Sequence, residues 1–256
     1  MVGPETAKLT RTLIDGMEYA GAMVALIAFM LLSALISLAI DLPRPTSKER
    51  TETGRPLSQI LKEPAIVVAI AAGTIGYVTM NLLMTTTPIA MRLGHSFAFD
   101  DAAFVIEWHI IGMFAPGFVT GHLISRFGSM RIVAVGGILL LAATAIALSG
   151  ITLWHFWAAM VLLGVGWNFS FTGGTTLLTE SHAPEERAKV QGTNDFIIFA
   201  FMALSSMFSG TLYYFLGWSW VNYAALPLIA VMLVLLAWLA VIRRRGTVEN
   251  VQAPAQ

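Results

Sequence analysis

The sequence predicts an all-α membrane protein with seven transmembrane helices. Three observations carry this prediction. Charged residues make up only 12% of the chain and hydrophobic ones 57%, with a mean hydropathy of +0.75; soluble domains carry about 25% charged residues. Seven apolar stretches each reach the roughly 20 residues that a helix needs to cross a hydrocarbon core about 30 Å thick. Positive charge falls almost entirely in every second gap between those stretches. Period-two alternation is absent, which excludes a transmembrane β-barrel. With no cysteine, disulfides and thiolate chemistry are excluded.

The first stretch, Met17–Ile40, is too long for a signal-peptide core and has no cleavage site after it. Residues 41–63 carry Pro43, Pro45, Pro56 and mixed charge, and read as a linker. Six spans follow: Ala65–Met91, Ala102–Ser125, Ile132–Gly150, Trp154–Thr179, Val190–Leu216 and Val221–Ile242. Short turns between them imply antiparallel neighbours. Pro88 and Pro116 are placed to kink helices, as is Pro227 near the start of the last span. Gly117 and Gly121 form a G-x-x-x-G pattern, and Gly73/Gly76, Gly136/Gly137 and Gly164/Gly166 mark further expected close approaches. Residues 246–256 are polar and expected to be disordered. The expected organisation is residues 1–40 as an N-terminal segment with a lone helix, 41–63 as a linker, 64–243 as a six-helix bundle and 244–256 as a tail.

Charge sets the expected orientation. Arg44, Lys48, Arg50, Arg55, Lys62, Arg126, Arg131, Arg187, Lys189 and Arg243–Arg245 fall on one side, and only Arg92 on the other. Lys8 and Arg11 in the N-terminal segment are offset by Glu5, Asp15 and Glu18. The positive-inside rule then puts the N-terminus outside and the C-terminus in the cytoplasm, in a bacterial inner membrane.

Polar groups at bilayer depth are costly and therefore candidates for function. Thr74, Tyr77, Asn81, Thr85 and Pro88 recur every three or four residues and share one helical face. This stripe either lines a substrate path or ties helices together. Thr86 and Thr87 lie nearer the outer end. Glu107 is a carboxylate within a span; it either binds a proton or a cationic group, or reaches water at the outer interface. His109 points roughly 200° away from it on a helix, towards a cavity or a neighbouring helix. Trp108 reads as an interface anchor. Trp167 and Asn168 offer an indole and an amide, suited either to a flat organic solute or to helix packing. No metalloprotease, Walker, dinucleotide-binding or nucleophile-elbow motif occurs. No enzyme activity, metal, cofactor or nucleic-acid partner is therefore expected, and the partners expected are a small-molecule substrate, the lipid bilayer and protons.

The segment Gly121-His-Leu-Ile-Ser-Arg-Phe-Gly-Ser-Met-Arg131 resembles the G-x-L-x-D-R-x-G-x-x-R loop of the major facilitator superfamily. Gly121, Leu123, Arg126, Gly128 and Arg131 match, and Ser125 replaces the acidic residue. A second stretch, Gly164-Val-Gly-Trp-Asn168 through Gly173–Glu180 and Pro184–Gly192, is similar to the tenth helix, the following turn and the eleventh helix of bacterial facilitators. The resemblance implies that the six spans from Ala65 form the family's C-terminal half, that Met17–Ile40 corresponds to the sixth helix, and that five helices are missing. It further implies gating by Gly121, Arg126, Gly128 and Arg131, with Asp195 as an acidic partner at the start of the sixth span. Tyr77–Pro88 is similar to a proteobacterial subgroup associated with riboflavin uptake.

The expected function is therefore secondary active transport of a small organic solute by alternating access, with riboflavin as the specific substrate. Efflux by the same fold is the alternative within the class. Outside it stands a truncated gene product or an assembly partner that transports nothing; a membrane enzyme ranks behind both.

Overall fold

The computed structural model describes residues 6, 9, 10, 20–40 and 54–252, with side chains described as far as Arg245. Residues 1–52 and 53–256 form separate units. In the first unit, α1 runs over Ala20–Leu38. It is apolar on every face and its large side chains, from Met23 to Leu38, are exposed, as a helix surrounded by lipid requires. Residues 17–19, the cations Lys8, Arg11, Arg44, Lys48 and Arg50, the acids Glu5, Asp15 and Glu18, and linker residues 41–53 lie outside the described residues.

The second unit begins with a short helix, α2 (Leu57–Ile60), followed by α3 (Pro64–Ile89). Pro64 occupies the first turn of α3, where its missing N–H leaves no intrahelical bond unmade. With 26 residues, α3 is about 39 Å long. Pro88 cannot donate to the Met84 carbonyl, and the helix widens into a π-helical turn over Ala90–Gly94 immediately after it. The Thr86 and Thr87 hydroxyls donate to the Leu82 and Leu83 carbonyls one turn back, so neither faces outwards as a ligand.

The third expected span is two helices. α4 (Phe99–Phe114) and α5 (Gly117–Phe127) are separated at Ala115–Pro116, where the proline removes a helical donor. The remaining helices are α6 (Ser129–Ser149), α7 (Leu153–Thr179), α8 (Arg187–Leu216, after a 3-10 turn at Pro184–Glu186) and α9 (Trp218–Gln252). α9 continues through Pro227 and well beyond Ile242, so residues 246–252 are helical, against the expected disorder.

α7 is the central helix, contacting α3, α4 and α6 along its length. Glycine makes this possible. A Cβ on Gly164 would lie 2.5 Å from the His109 carbonyl oxygen of α4, and one on Gly136 of α6 would lie 2.7 Å from the Ser170 backbone nitrogen. Gly174 approaches Gly73 of α3 in the same way. The G-x-x-x-G pair behaves differently from expectation: a Cβ on Gly121 would meet nothing within 4 Å, and one on Gly117 only the Asn168 amide at 3.7 Å. These two glycines serve no helix crossing among the described residues. Phe156, Met160, Leu163, Leu177 and Leu178 of α7 fill the core with Leu140 of α6 and Met232 of α9.

Candidate functional site

α3 and α8 meet along a polar seam. Asn81 is buried and its amide donates to Ser206 Oγ at 2.8 Å and to the Met202 carbonyl at 3.3 Å. Ser205 Oγ donates to the Val78 carbonyl at 3.2 Å, and Thr85 Oγ1 lies 3.2 Å from Ser209 Oγ and 2.7 Å from the Asn81 carbonyl. In lipid a polar group without a partner is costly, and pairing across a helix interface removes that cost. Asn81 and Thr85 therefore join helices in this conformation. Sequence reasoning misses their partners, although Ser205, Ser206 and Ser209 fall at the spacing of a helical stripe.

Below the seam, α3, α8 and α9 part around a groove of about 370 Å³. Ile70, Val78, Ile197, Phe201 and Val231 make it apolar, and Thr74 is its one hydroxyl. Thr74 Oγ1 is buried without a hydrogen-bond partner.

Tyr77 leaves the seam for an aromatic cluster. Its ring meets Trp167 and Phe171 edge-on at centroid distances of 5.5 and 5.4 Å. Trp167 and Phe171, four residues apart on α7, stack within 6° of parallel at 5.3 Å. Phe114, exposed at the end of α4, joins Trp167 at 6.2 Å. Tyr77 and Trp167 are expected site residues; Phe171 and Phe114 are not, and their four-residue and break-adjacent positions are the available signal.

Both amide atoms of Asn168 are engaged. Its Nδ2 donates to the Met113 carbonyl at 2.7 Å, and its Oδ1 lies 2.7 Å from Thr120 Oγ1. It thus fastens both sides of the α4–α5 break to α7. His109 is fully buried; its Nδ1 donates to the Met160 carbonyl of α7 at 2.8 Å and its Nε2 is buried without a partner. Of the two directions open to it, it takes the neighbouring helix. Glu107 is half-buried on α4. Trp108 is exposed and packs edge-on with Trp157 at 5.7 Å, which itself meets Trp154, an arrangement suited to an interfacial belt.

The expected gate is assembled only in part. Gly128 adopts φ +86°, a region that only glycine enters without strain, and ends α5 in a tight turn before α6. Ser129, after it, donates to Glu180 at the end of α7 at 2.8 Å. Arg126 and Arg131 are exposed, and Arg126 lies over the Phe127 ring. Asp195 does not pair with either; its carboxylate accepts from Asn194 at 3.0 Å and Gln191 at 3.1 Å on its own helix. Among the described residues, an ion pair on the basic end involves Arg55 instead. Arg55 donates from Nε to Glu186 Oε1 at 2.7 Å and from Nη2 to Oε2 at 2.9 Å, and also reaches Glu63. The hydrogen bond to Glu186, and then that to Glu63, raises the Arg55 pKa further above its ordinary value.

Over 236 residues the chain is 42% identical to the riboflavin transporter RfnT of Brucella anthropi, covering 91% of this chain and 59% of that protein. Two uncharacterized MFS-type transporters of Bacillus subtilis, YddS and YdeG, are 31% and 34% identical, over 83% and 71% of this chain and 51% and 41% of their own. The chain therefore spans between two-fifths and three-fifths of the relatives' lengths. Residues 102–255, more than half of the chain, match the family profile itself, and the chain belongs to the Major Facilitator Superfamily.

Proposed function

We propose that this chain takes part in secondary active transport of a small organic solute by alternating access, and that the solute is riboflavin or a similar flat, polar-edged ring system. The similarity to a riboflavin transporter across nine-tenths of the chain carries this reading. The Tyr77–Trp167–Phe171–Phe114 cluster supports it, because such rings offer a face against which a planar solute stacks. The bundle supplies one wall of the cavity, at the level where sites of this kind lie between two halves. The other wall corresponds to the part of the relatives that this chain does not span.

In this reading Tyr77 and Trp167 contact the solute, and Asn81, Thr85, His109 and Asn168 hold the wall in shape. Glu107 couples proton movement, its carboxyl being a titratable group placed within a span. The basic ends face the cytoplasm of a bacterial inner membrane, with the N-terminus outside, and Arg126, Arg131 and Asp195 act in a state of the cycle in which they come together. The test is uptake of labelled riboflavin by a riboflavin-requiring strain that depends on the full chain. Trp167→Ala is expected to raise the half-saturating concentration, and Glu107→Gln to abolish the pH dependence of uptake. Absence of riboflavin uptake alongside export of a loaded dye would instead support efflux.

A further inference from the structure

The Arg55 contact is a built site that the transport reading leaves unused. Glu186 has a fully buried side chain, although it lies in the polar turn that starts α8. Its two oxygens take the Arg55 guanidinium as a fork, the Arg55 backbone N–H at 3.1 Å and the Ala183 N–H at 3.2 Å. Bidentate charge-assisted pairing of this kind has a defined geometry that a point charge cannot reproduce. Arg55 also reaches Glu63, the residue immediately before α3, and Lys189 of α8 donates to the Arg55 carbonyl. Gly54 sits against Glu186 at φ +54°, where a Cβ would lie 2.6 Å from Cγ of that residue. Residues 131 apart in sequence thus join the start of α3 to the start of α8.

The same two helices are joined again in mid-span by the Asn81 and Thr85 seam. Between these two polar ties lies the apolar groove, lined by Ile70 and Val78 on α3 and by Ile197 and Phe201 on α8. Around that void the lining side chains hold the two helices together by apolar packing. We propose that the Arg55–Glu186 clasp is a releasable tie: when it opens, the basic end of α8 swings away from α3 about the mid-span seam, widening the groove. The ion pair is half in water at Arg55, so the open state rehydrates the guanidinium, and the buried charge left to hydrate is that of Glu186.

The chain lacks cysteine, so paired cysteines can carry spin labels without background. Ser58 and Ala188 are exposed on either side of the clasp, and Leu93, in the π-helical turn after α3, and Leu216, at the far end of α8, are exposed as well. Pulsed electron paramagnetic resonance on the full chain in lipid nanodiscs reads both pairs. Discounted for a guanidinium half in water, the loss of two charge-assisted hydrogen bonds shifts a two-state balance by roughly ten- to hundredfold. Arg55→Gln is therefore expected to add a dominant longer distance at the 58–188 pair and leave the 93–216 pair single. Arg55→Lys keeps the charge without the fork and is expected to give an intermediate mixture; it decides the matter if the glutamine variant does not fold. An unchanged 58–188 distance, or equal broadening at both pairs, overturns the proposal. The consequence for turnover rests on the transport reading: Arg55→Gln is expected to change maximal riboflavin uptake with half-saturation within about twofold. A change confined to half-saturation overturns the tie, whereas riboflavin uptake absent from the unaltered chain counts against the transport reading alone, since the distances are measured without substrate.

Discussion

Asn168→Ala is the sharpest test of how polar residues are used in this bundle. The side chain makes two hydrogen bonds in a buried position, to the Met113 carbonyl and with the Thr120 hydroxyl, each at 2.7 Å. Hydrogen bonds between helices in lipid contribute about 0.6 kcal/mol on average and at most about 1.7. Two of them are therefore worth about 1–3 kcal/mol. Thr120 keeps a fallback, since its hydroxyl is also 2.7 Å from the Pro116 carbonyl, which places the loss towards the lower half of that range. Asn168→Asp is the harsher change. It keeps the acceptor for Thr120 but sets an oxygen against the Met113 carbonyl at 2.7 Å, where the amide had donated. The order of stability is thus wild type, then alanine, then aspartate at neutral pH. Unfolding in a graded detergent titration, followed by tryptophan fluorescence, measures it. If Asn168 were instead a solute contact, alanine would unfold with wild type and only the half-saturating concentration for uptake would rise. That outcome would refute the assignment of Asn168 to the wall.

Two further predictions use the same assay. Gly164→Ala drives a Cβ to 2.5 Å from a backbone oxygen that cannot move without shifting α4, so destabilisation of about 1–3 kcal/mol is expected; Gly121→Ala meets open space and is expected to be neutral or stabilising by up to about 1 kcal/mol. Asn81→Leu leaves Ser206 without its donor and is expected to cost about 1–2 kcal/mol, most of it recovered in the Asn81→Leu/Ser206→Ala double variant, where the orphaned hydroxyl is gone.

The spans were legible because each depends on length and composition alone. Pro64–Gly94, Ser129–Ser149 and Leu153–Thr179 fall within a few residues of where the apolar runs place them. The break in the third span was half-legible: Pro116 announced a kink, but the compensating contacts from Asn168 belong to a helix some fifty residues later. The Arg55–Glu186 clasp was not legible at all. Arg55 counted only as one cation in a basic gap, and nothing local distinguishes it from Lys62 or Arg131; its partner lies 131 residues away.

The candidate residues divide by a criterion that hydropathy cannot supply. Tyr77, Asn81 and Thr85 share one face of α3, yet Asn81 and Thr85 find hydroxyl partners on α8 while Tyr77, some 40° round from Asn81, meets the α7 aromatics. An amide in lipid needs partners for up to four hydrogen bonds, and a neighbouring helix carrying Ser205, Ser206 and Ser209 offers them at no cost in water. The aromatic cluster makes fewer such demands: Trp167 is buried with its indole N–H unpartnered, Tyr77 and Phe171 are half-buried, and Phe114 is exposed. Asn81, Thr85 and Asn168 therefore join helices at depth, and the rings beside them are the proposed contacts for a solute. Trp167→Phe against Asn168→Ala separates the two roles: the first is expected to move the half-saturating concentration for uptake, beside a cost in unfolding of about 1 kcal/mol for the void it leaves in a buried position, and the second to lower stability with the half-saturating concentration unchanged.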